Sequence, residues 1–283
     1  MRFSKMHGIG NDFIMINCFG MEGDAVAAQA QRQAAALCDR KFGVGGDGVI
    51  LVLPGETHRF RMRMFNPDGS EAEMCGNGIR CFAKYVSDHG LVHEELTLPV
   101  ETGAGVLTVV LHKNGNGEVD TVRVDMGEPI LDPALVPTTL ASVGPVINQP
   151  LELADRTLCF TTVSMGNPHA VTFVDDVANY PVELIGPQVE SHRVFPKRTN
   201  TEFIEIVSRN ETKFRVWERG AAETLACGTG ACASVVASVL NGLTDRDVLV
   251  HLPGGDLKIE WSEADNHVYM TGPATNVFEG EIL

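Results

Sequence analysis

"EMCGNGIRC", residues 73–81, has a counterpart in the same chain, "LACGTGAC" at residues 225–232. In each, a cysteine stands directly before Gly-polar-Gly, and a second cysteine follows about one turn later. An offset of 152 residues (227 less 75) sets Cys75 on Cys227, Gly76 on Gly228 and Gly78 on Gly230. The same offset sets Glu71 on Glu223, Arg63 on Arg215 and Asn66 on Glu218. Further back, "GDGVILVL" at 46–53 lies against "TNTEFIEIV" at 199–207, with Asp47 opposite Asn200. Nearer each start, "GIGNDFIMIN" lies against "SMGNPHAVTFV", with Asn11 opposite Asn167. Blocks in the same order at nearly constant offset are the mark of an internal repeat. The chain reads as two homologous halves.

Hydrophobic periodicity gives both halves one plan. "FIMIN" and "AVTFV" are strands, as are "VILVL", "RFRMRMF", "FIEIV" and "KFRVWE". The Ala- and Gln-rich run "AVAAQAQRQAAALCDR" predicts a helix in the first half, closed by Gly43. A further helix follows each cysteine, "GIRCFAKYVSDHG" and "GACASVVASVLNGL", and Gly90 supplies a C-terminal stop for the first. "VLTVVLH" and "TVRVDM" flank an Asn-Gly turn and predict a hairpin. The second half closes on "DVLVHL", "LKIEW" and "VYMTG". Segment 128–158, rich in Pro and Leu, reads as a link between the halves. The expected fold is α+β: two pseudo-symmetric domains from a duplication, each a mostly antiparallel sheet around a central helix. The expected division is 1–127 with 273–283, and 128–272, with the active site in the cleft between them.

Composition bounds the function. With 283 residues, 44% hydrophobic and 21% charged, the chain can bury two cores. A net charge of −15 excludes nucleic acid and anionic membrane as main partners, since both demand a basic face. Lys5, His7 and Asp12 interrupt the apolar residues of the N-terminus, so no signal peptide is read there. The uncharged stretch 225–243 carries Gly, Thr, Asn and Ser throughout and makes a poor membrane span. The expectation is a cytoplasmic protein. Its seven cysteines, an odd number, are read as thiols rather than a disulfide framework. None form C-x-x-C, so no metal site is expected. "GVGGDG" at 43–48 matches a dinucleotide fingerprint but follows a helix and precedes a strand, the reverse of that motif. It reads as a turn.

A cysteine at a helix N-terminus faces the positive end of the dipole, which favours thiolate. The glycines after it let a ligand approach backbone N–H groups suited to a carboxylate. Two such starts, related by pseudo-twofold symmetry, put a thiol on each side of one carboxylate-bearing carbon. One thiolate then removes an α-proton while the other thiol returns one to the opposite face, inverting the centre. The amides stabilise charge building on the carboxylate. A single such cysteine would read as a small packing residue; the duplication makes Cys75 and Cys227 the catalytic candidates. Cys81 and Cys232 fall inside their helices and read as core, and Cys18, Cys38 and Cys159 as structural. Asn11, Asn66, Asn167 and Asn200 are turn residues or ligand contacts. "WERG" at 217–220 offers Arg219 to a carboxylate and Glu218 to an ammonium, or else a surface ion pair. His169 either assists proton transfer or is a satisfied core histidine.

These phrases together, with "HGIGNDF", "FGVGGDG", "NPDGSEAEMCGNGIRC", "GNPHAV", "RTNTEFIEI", "WERGAAETLACGTGAC" and "TGPATNVFEGEI", resemble the diaminopimelate epimerase family almost end to end and in order. The resemblance implies interconversion of LL- and meso-diaminopimelate in lysine and cell-wall precursor synthesis, with no pyridoxal phosphate, no other cofactor and no metal. Under it, Cys75 and Cys227 are the acid/base pair. Gly76, Asn77, Gly228 and Thr229 match the residues binding the carboxylate at the reacting centre. Asn11, Asn66, Asn167, Asn200, Glu218 and Arg219 match contacts to the rest of the substrate, while His169 and Glu218 match positions supporting the thiols. It also implies a homodimer formed partly through the last strand, near Phe278. Two positions depart from the family pattern. Ala222 stands where the family usually has glycine, and would be strained if the backbone there needs positive φ. Gly48 stands where some members carry a glutamine that reaches the substrate, and is assigned no contact.

Two rival readings use the same thiols. A proline- or hydroxyproline-type racemase shares the paired-cysteine logic, but its substrate has no distal amino-acid end for "WERG" and the asparagines to hold. A non-catalytic redox switch would join Cys75 and Cys227 in a disulfide; such oxidation reads instead as a loss of activity.

Overall fold

The structure is a computed structural model that describes residues 1–282. The first half runs β1 (Arg2–Gly8), β2 (Asn11–Asn17), α1 (Gly23–Cys38), β3 (Gly48–Pro54), β4 (Phe60–Phe65), β5 (Glu71–Ala72), α2 (Gly76–Asp88), β6 (Thr97–Thr102), β7 (Gly105–Lys113) and β8 (Val119–Asp125). The second runs β9 (Gln149–Glu152), β10 (Thr157–Ser164), β11 (Pro168–Phe173), α3 (Val182–Glu190), β12 (Asn200–Ser208), β13 (Glu211–Glu218), β14 (Ala222–Thr224), α4 (Gly228–Leu240), β15 (Asp247–Leu252), β16 (Gly255–Trp261) and β17 (Val268–Pro273), before a last strand, β18 (Thr275–Glu281). Two compact units emerge: Met1–Asp125 with Thr271–Leu283, and Met126–Met270.

Strand pairing repeats from unit to unit. In the first, β1 pairs antiparallel with β18 and β2, β2 parallel with β3, β3 antiparallel with β4, and β4 antiparallel with β5 and parallel with β6. In the second, β10 pairs antiparallel with β9 and β11, β11 parallel with β12, β12 antiparallel with β13, and β13 antiparallel with β14 and parallel with β15. One bidentate ion pair also repeats. Arg63 Nε and Nη2 donate to Glu71 at 2.7 Å each, and Arg215 Nε and Nη2 donate to Glu223 at 2.6 and 3.0 Å. Each clasps the short strand that leads into a cysteine-capped helix, and fixes where that helix starts.

The parallel pair at the centre of each sheet is covered on both faces. In unit 1, Ile14, Ile16, Val49, Leu51 and Leu53 face α1 through Ala27, Ala30, Ala34 and Leu37. Ile50 lies on the opposite face, against α2, at Gly78. That explains "VILVL" as an unbroken apolar run rather than an alternating one. Helix α2 packs on β1, β2, β3, β7, β8 and β18, which makes it the central helix; α4 packs on β10, β11, β12 and β16.

Helix α3 is absent from the sequence reading. Pro187 lies inside it and Gly186 precedes that proline, two signals that argue against a helix. Here glycine is a packing requirement, since a Cβ on Gly186 would meet Trp217 Cβ at 2.4 Å. Segment 128–158 also proves to be more than a link, for it supplies β9 and the bridge from Ile130 to Ser164 in unit 2. No helix among the described residues is long and apolar enough to cross a membrane.

Candidate active site

Cys75 and Cys227 occupy the same position in the two units. Each is the N-cap of its helix with an extended backbone, and each sulfur accepts the N–H three residues on, Gly78 at 3.4 Å and Gly230 at 3.3 Å. A thiol thus does the work of a capping oxygen. Gly76 and Gly228 open the helices, followed by Asn77 and Thr229, where N–H groups have no intrahelical acceptor.

Around Cys75 the sequence block at residues 8–17 arrives by β2. Asn11 Oδ1 accepts from the Cys75 thiol at 3.8 Å and from Asn77 Nδ2 at 3.1 Å. Its own amide Nδ2 donates to Asp47 Oδ2 at 2.7 Å, which turns the oxygen toward the thiol. Asp47 also accepts from the Asp12 N–H at 3.1 Å and from Arg40 at 2.7 Å. Lys5 and Arg40 both pair with Asp12 at 2.6 Å. Burial pushes the Asp12 carboxyl up, but hydrogen bonds from Arg40 and Lys5 outweigh it and hold the group well below the usual range. The sequence offers Asp47 only as a turn residue in "GVGGDG"; strand register sets Gly48 rather than Asp47 level with Asn200, so the repeat does not single Asp47 out.

Around Cys227 the surroundings differ. Thr229 Oγ1 lies 3.5 Å from the sulfur. His169 and Glu202 are fully buried side by side, Nδ1 to Oε1 at 2.6 Å, with His169 Nε2 at 2.9 Å from Asn167 Oδ1. The sequence leads one to expect a helix dipole favouring thiolate. For Cys227 the balance runs the other way: burial, then the Glu218 and Glu202 carboxylates, push the thiol well up, against Thr229 and the Gly230 N–H. Glu202 was missed altogether, because an acidic residue in a strand normally reads as solvent-facing.

The remaining residues fall into two groups. Asn200 is buried, donates to the Pro168 carbonyl at 2.9 Å and accepts the Arg219 N–H at 2.8 Å. Glu218 accepts from Thr224 Oγ1 at 2.5 Å, and the Arg219 guanidinium donates to the Lys197 carbonyl at 3.1 Å. Glu190, also missed, anchors this loop: it accepts from Trp217 Nε1 at 2.7 Å and the Gly220 N–H at 3.0 Å, and pairs with Arg198. Asn66 is tied into a turn, its Nδ2 donating to Ser70 Oγ at 3.0 Å. Ala222 has φ of 62°, the left-handed backbone that favours glycine. At Gly48 a Cβ would meet Met64 Cε and the Phe65 carbonyl at 3.0 Å, so a larger residue would crowd both. Cys81 and Cys232 are fully buried and Cys18 and Cys38 lie in the core; Cys159 is exposed on β10 instead. Burial pushes Cys18 and Cys38 up to about 11 and Cys81 up to about 12, the state of inert thiols.

Solved structures share this fold. The Bacillus anthracis phenazine biosynthesis protein of the PhzF family superposes with a TM-score of 0.71 at 19% identity, covering 100% of this chain and 99% of that one. A hydroxyproline epimerase from Agrobacterium vitis superposes with a TM-score of 0.70 at 15% identity, covering 99% and 91%. At such identities the likeness shows the fold alone. The family model for diaminopimelate epimerase matches residues 3–131 and 161–277. The diaminopimelate epimerase of Agathobacter rectalis is 55% identical over 288 residues, 100% of this chain and 99% of its own length. That of Moorella thermoacetica is 55% identical over 282 residues, 99% of each. The chain belongs to the diaminopimelate epimerase family.

Proposed function

We propose that this chain is a cofactor-independent epimerase that interconverts LL- and meso-diaminopimelate, a step of lysine and cell-wall precursor biosynthesis. The observation that carries the mechanism is the repeated cap: two thiols, each at a helix start, each oriented by the N–H of a glycine three residues on. The near full-length relatives support the substrate.

In the proposed reaction one substrate is held by both half-sites. A thiolate of one cysteine takes the α-proton, and the S–H of the other delivers its proton to the opposite face of the same carbon. The first cysteine ends as thiol and the second as thiolate, and the reverse reaction exchanges their roles. Gly76, Asn77, Gly228 and Thr229 hold the α-carboxylate by backbone amides, where charge builds in the transition state. Asn66, Asn167, Asn200, Glu218 and Arg219 hold the rest of the substrate, and Asn11 orients Cys75. His169 supports Cys227. No metal and no pyridoxal phosphate take part. The enzyme acts in the cytoplasm as a homodimer; Val277 and Phe278, exposed on β18, support an interface there.

The test is incubation of reduced protein with LL-diaminopimelate in heavy water, followed by proton NMR. Loss of the α-proton signal together with appearance of the meso isomer is the expected result. Folded, reduced protein that exchanges no α-proton would sink the assignment.

A further inference from the structure

The two half-sites match at their caps and differ directly beneath them. At the 152-residue offset of the caps Gly48 matches Asn200, one residue on from the Asp47 match read from the sequence. Strand register sets Phe13 against Gly48 and His169 against Asn200, so His169 stands where the first unit has Phe13. Two residues beyond Asn200 and Gly48 stand Glu202 and Ile50. Each reaches the same point of its helix: a Cβ on Gly230 would meet Glu202 Oε1 at 2.9 Å, and a Cβ on Gly78 would meet Ile50 Cδ1 at 2.8 Å. The floor beneath Cys75 is therefore phenylalanine and isoleucine, and the floor beneath Cys227 is histidine and glutamate.

The polar floor is not a packing necessity, since the first unit builds the same place from hydrocarbon. It is also incompletely satisfied. Glu202 Oε1 binds His169, but Glu202 Oε2 is buried with no hydrogen-bond partner. A buried carboxyl with an idle oxygen costs stability. What it gains is a position beside the thiol. The same Cβ on Gly230 would lie 3.1 Å from Cys227 Sγ, so the carboxyl and the sulfur flank one small glycine. The titratable groups that act on Cys227 are Glu218 from β13 and Glu202 from β12. Burial pushes the Glu202 carboxyl itself up, and His169 from β11, paired to it, opposes that and favours the carboxylate.

We propose that Glu202 is a positioning residue that keeps Cys227 protonated, making it the resting acid of the thiol pair and Cys75 the resting base. The proposal rests on Cys227 being one of the two proton-carrying thiols. Burial and the two neighbouring carboxylates, which push the Cys227 thiol up, agree with it. In one turnover the Cys75 thiolate gains the α-proton and the Cys227 S–H loses its own, leaving a thiolate beside a carboxylate. Like-charge repulsion then favours return of a proton to Cys227 from solvent and loss of one from Cys75, which resets the pair. In the first unit no charge stands at Ile50 to do this.

The test is a pH titration of protein carrying cysteine labelled with carbon-13 at Cβ, without substrate. The Cys227 signal is identified by its loss in Cys227→Ala. In the native protein Cys227 should stay protonated beyond the ordinary thiol value of about 8.5. In Glu202→Gln its midpoint should fall by about one pH unit or more, with the Cys75 midpoint unmoved. The alkaline limb of the kcat/KM profile should fall with it, and Glu202→Asp should restore both. Cys227 ionising at or below the ordinary value in the native protein overturns the proposal without any variant. An unmoved Cys227 midpoint in Glu202→Gln overturns it as well. Turnover of diaminopimelate by the same native sample is measured separately; its absence would remove the proposed function and leave the titration readable.

Discussion

Gly230→Ala is the sharpest probe of the cap geometry. The new methyl would sit 2.9 Å from Glu202 Oε1, 3.1 Å from Cys227 Sγ and 3.2 Å from Phe214 Cζ, where ordinary contact begins at 3.4 Å. All three neighbours are buried, so none can swing into solvent. The sulfur must retreat by a few tenths of an ångström and loosen its bond from the Gly230 N–H. Overpacking of this kind costs about 1–3 kcal/mol of stability. A misplacement of about 1 Å costs roughly a hundredfold in rate, so a shift of under half that predicts a loss of about tenfold. Gly78→Ala supplies the contrast. Its methyl would press on Ile50 Cδ1 at 2.8 Å and lightly on Cys75 Cβ at 3.3 Å, but reach Cys75 Sγ only at 3.6 Å, an ordinary contact for the sulfur itself. The isoleucine can yield by rotating, so the rate loss should be the smaller of the two. Thermal unfolding and α-proton exchange in heavy water read both quantities. Gly230→Ala with native turnover, or Gly78→Ala losing more activity than Gly230→Ala, would refute the reasoning.

Other perturbations test other links. Cys75→Ala and Cys227→Ala should each abolish epimerisation while the circular dichroism spectrum stays native; near-normal turnover by either excludes the two-thiol mechanism. Ala222→Gly should raise stability by about 1 kcal/mol, because a side chain at φ of 62° carries a left-handed penalty that glycine lacks; a lowered midpoint in urea would contradict this. Glu101 accepts the N–H groups of Glu56, Thr57 and His58 at 2.9, 2.6 and 2.7 Å. Those bonds, Glu56 first, hold its carboxyl down at about 2. Its folded value lies below its unfolded one, so its contribution is present above the ordinary carboxylate range and is lost as pH falls through about 2. Carboxyl NMR should find Glu101 titrating there, and a midpoint near 4 would show the loop is not tied as described.

What the sequence made legible was whatever the duplication had kept. The cysteine caps and their glycines recur at one offset, so each copy vouched for the other. Arg63 with Arg215 and Glu71 with Glu223 recur at it too, but that each arginine clasps its own glutamate is visible only in the fold. Asn11 was flagged in the same way, while its orienting partner Asp47 was hidden in a glycine-rich turn. The fold's one missed helix, α3, failed for a physical reason: Gly186 is there to admit Trp217, and a glycine before a proline argues locally against a helix even where packing requires one. That omission also concealed Glu202. With α3 unseen, β12 had one uncovered face, and an acidic residue in "NTEFIEI" had somewhere wet to point. In the fold, Phe203 packs on the side of α3 and Glu202 on the side of α4, and neither face of the strand at that level is left to water.

On the proposal above, His169 and Glu202 decide which of the two duplicated half-sites holds the proton. Inversion at one carbon needs one thiolate and one thiol at the same moment, whereas two identical half-sites would ionise alike. Mutual repulsion between equal thiols could keep one proton in the pair, but it could not choose which cysteine holds it. Substituting His169 and Glu202 for the Phe13 and Ile50 of the other unit makes that choice locally. It leaves intact the caps and clasps that hold both thiols in register with their helices. Geometry is what the repeat preserves, and charge is where its copies part.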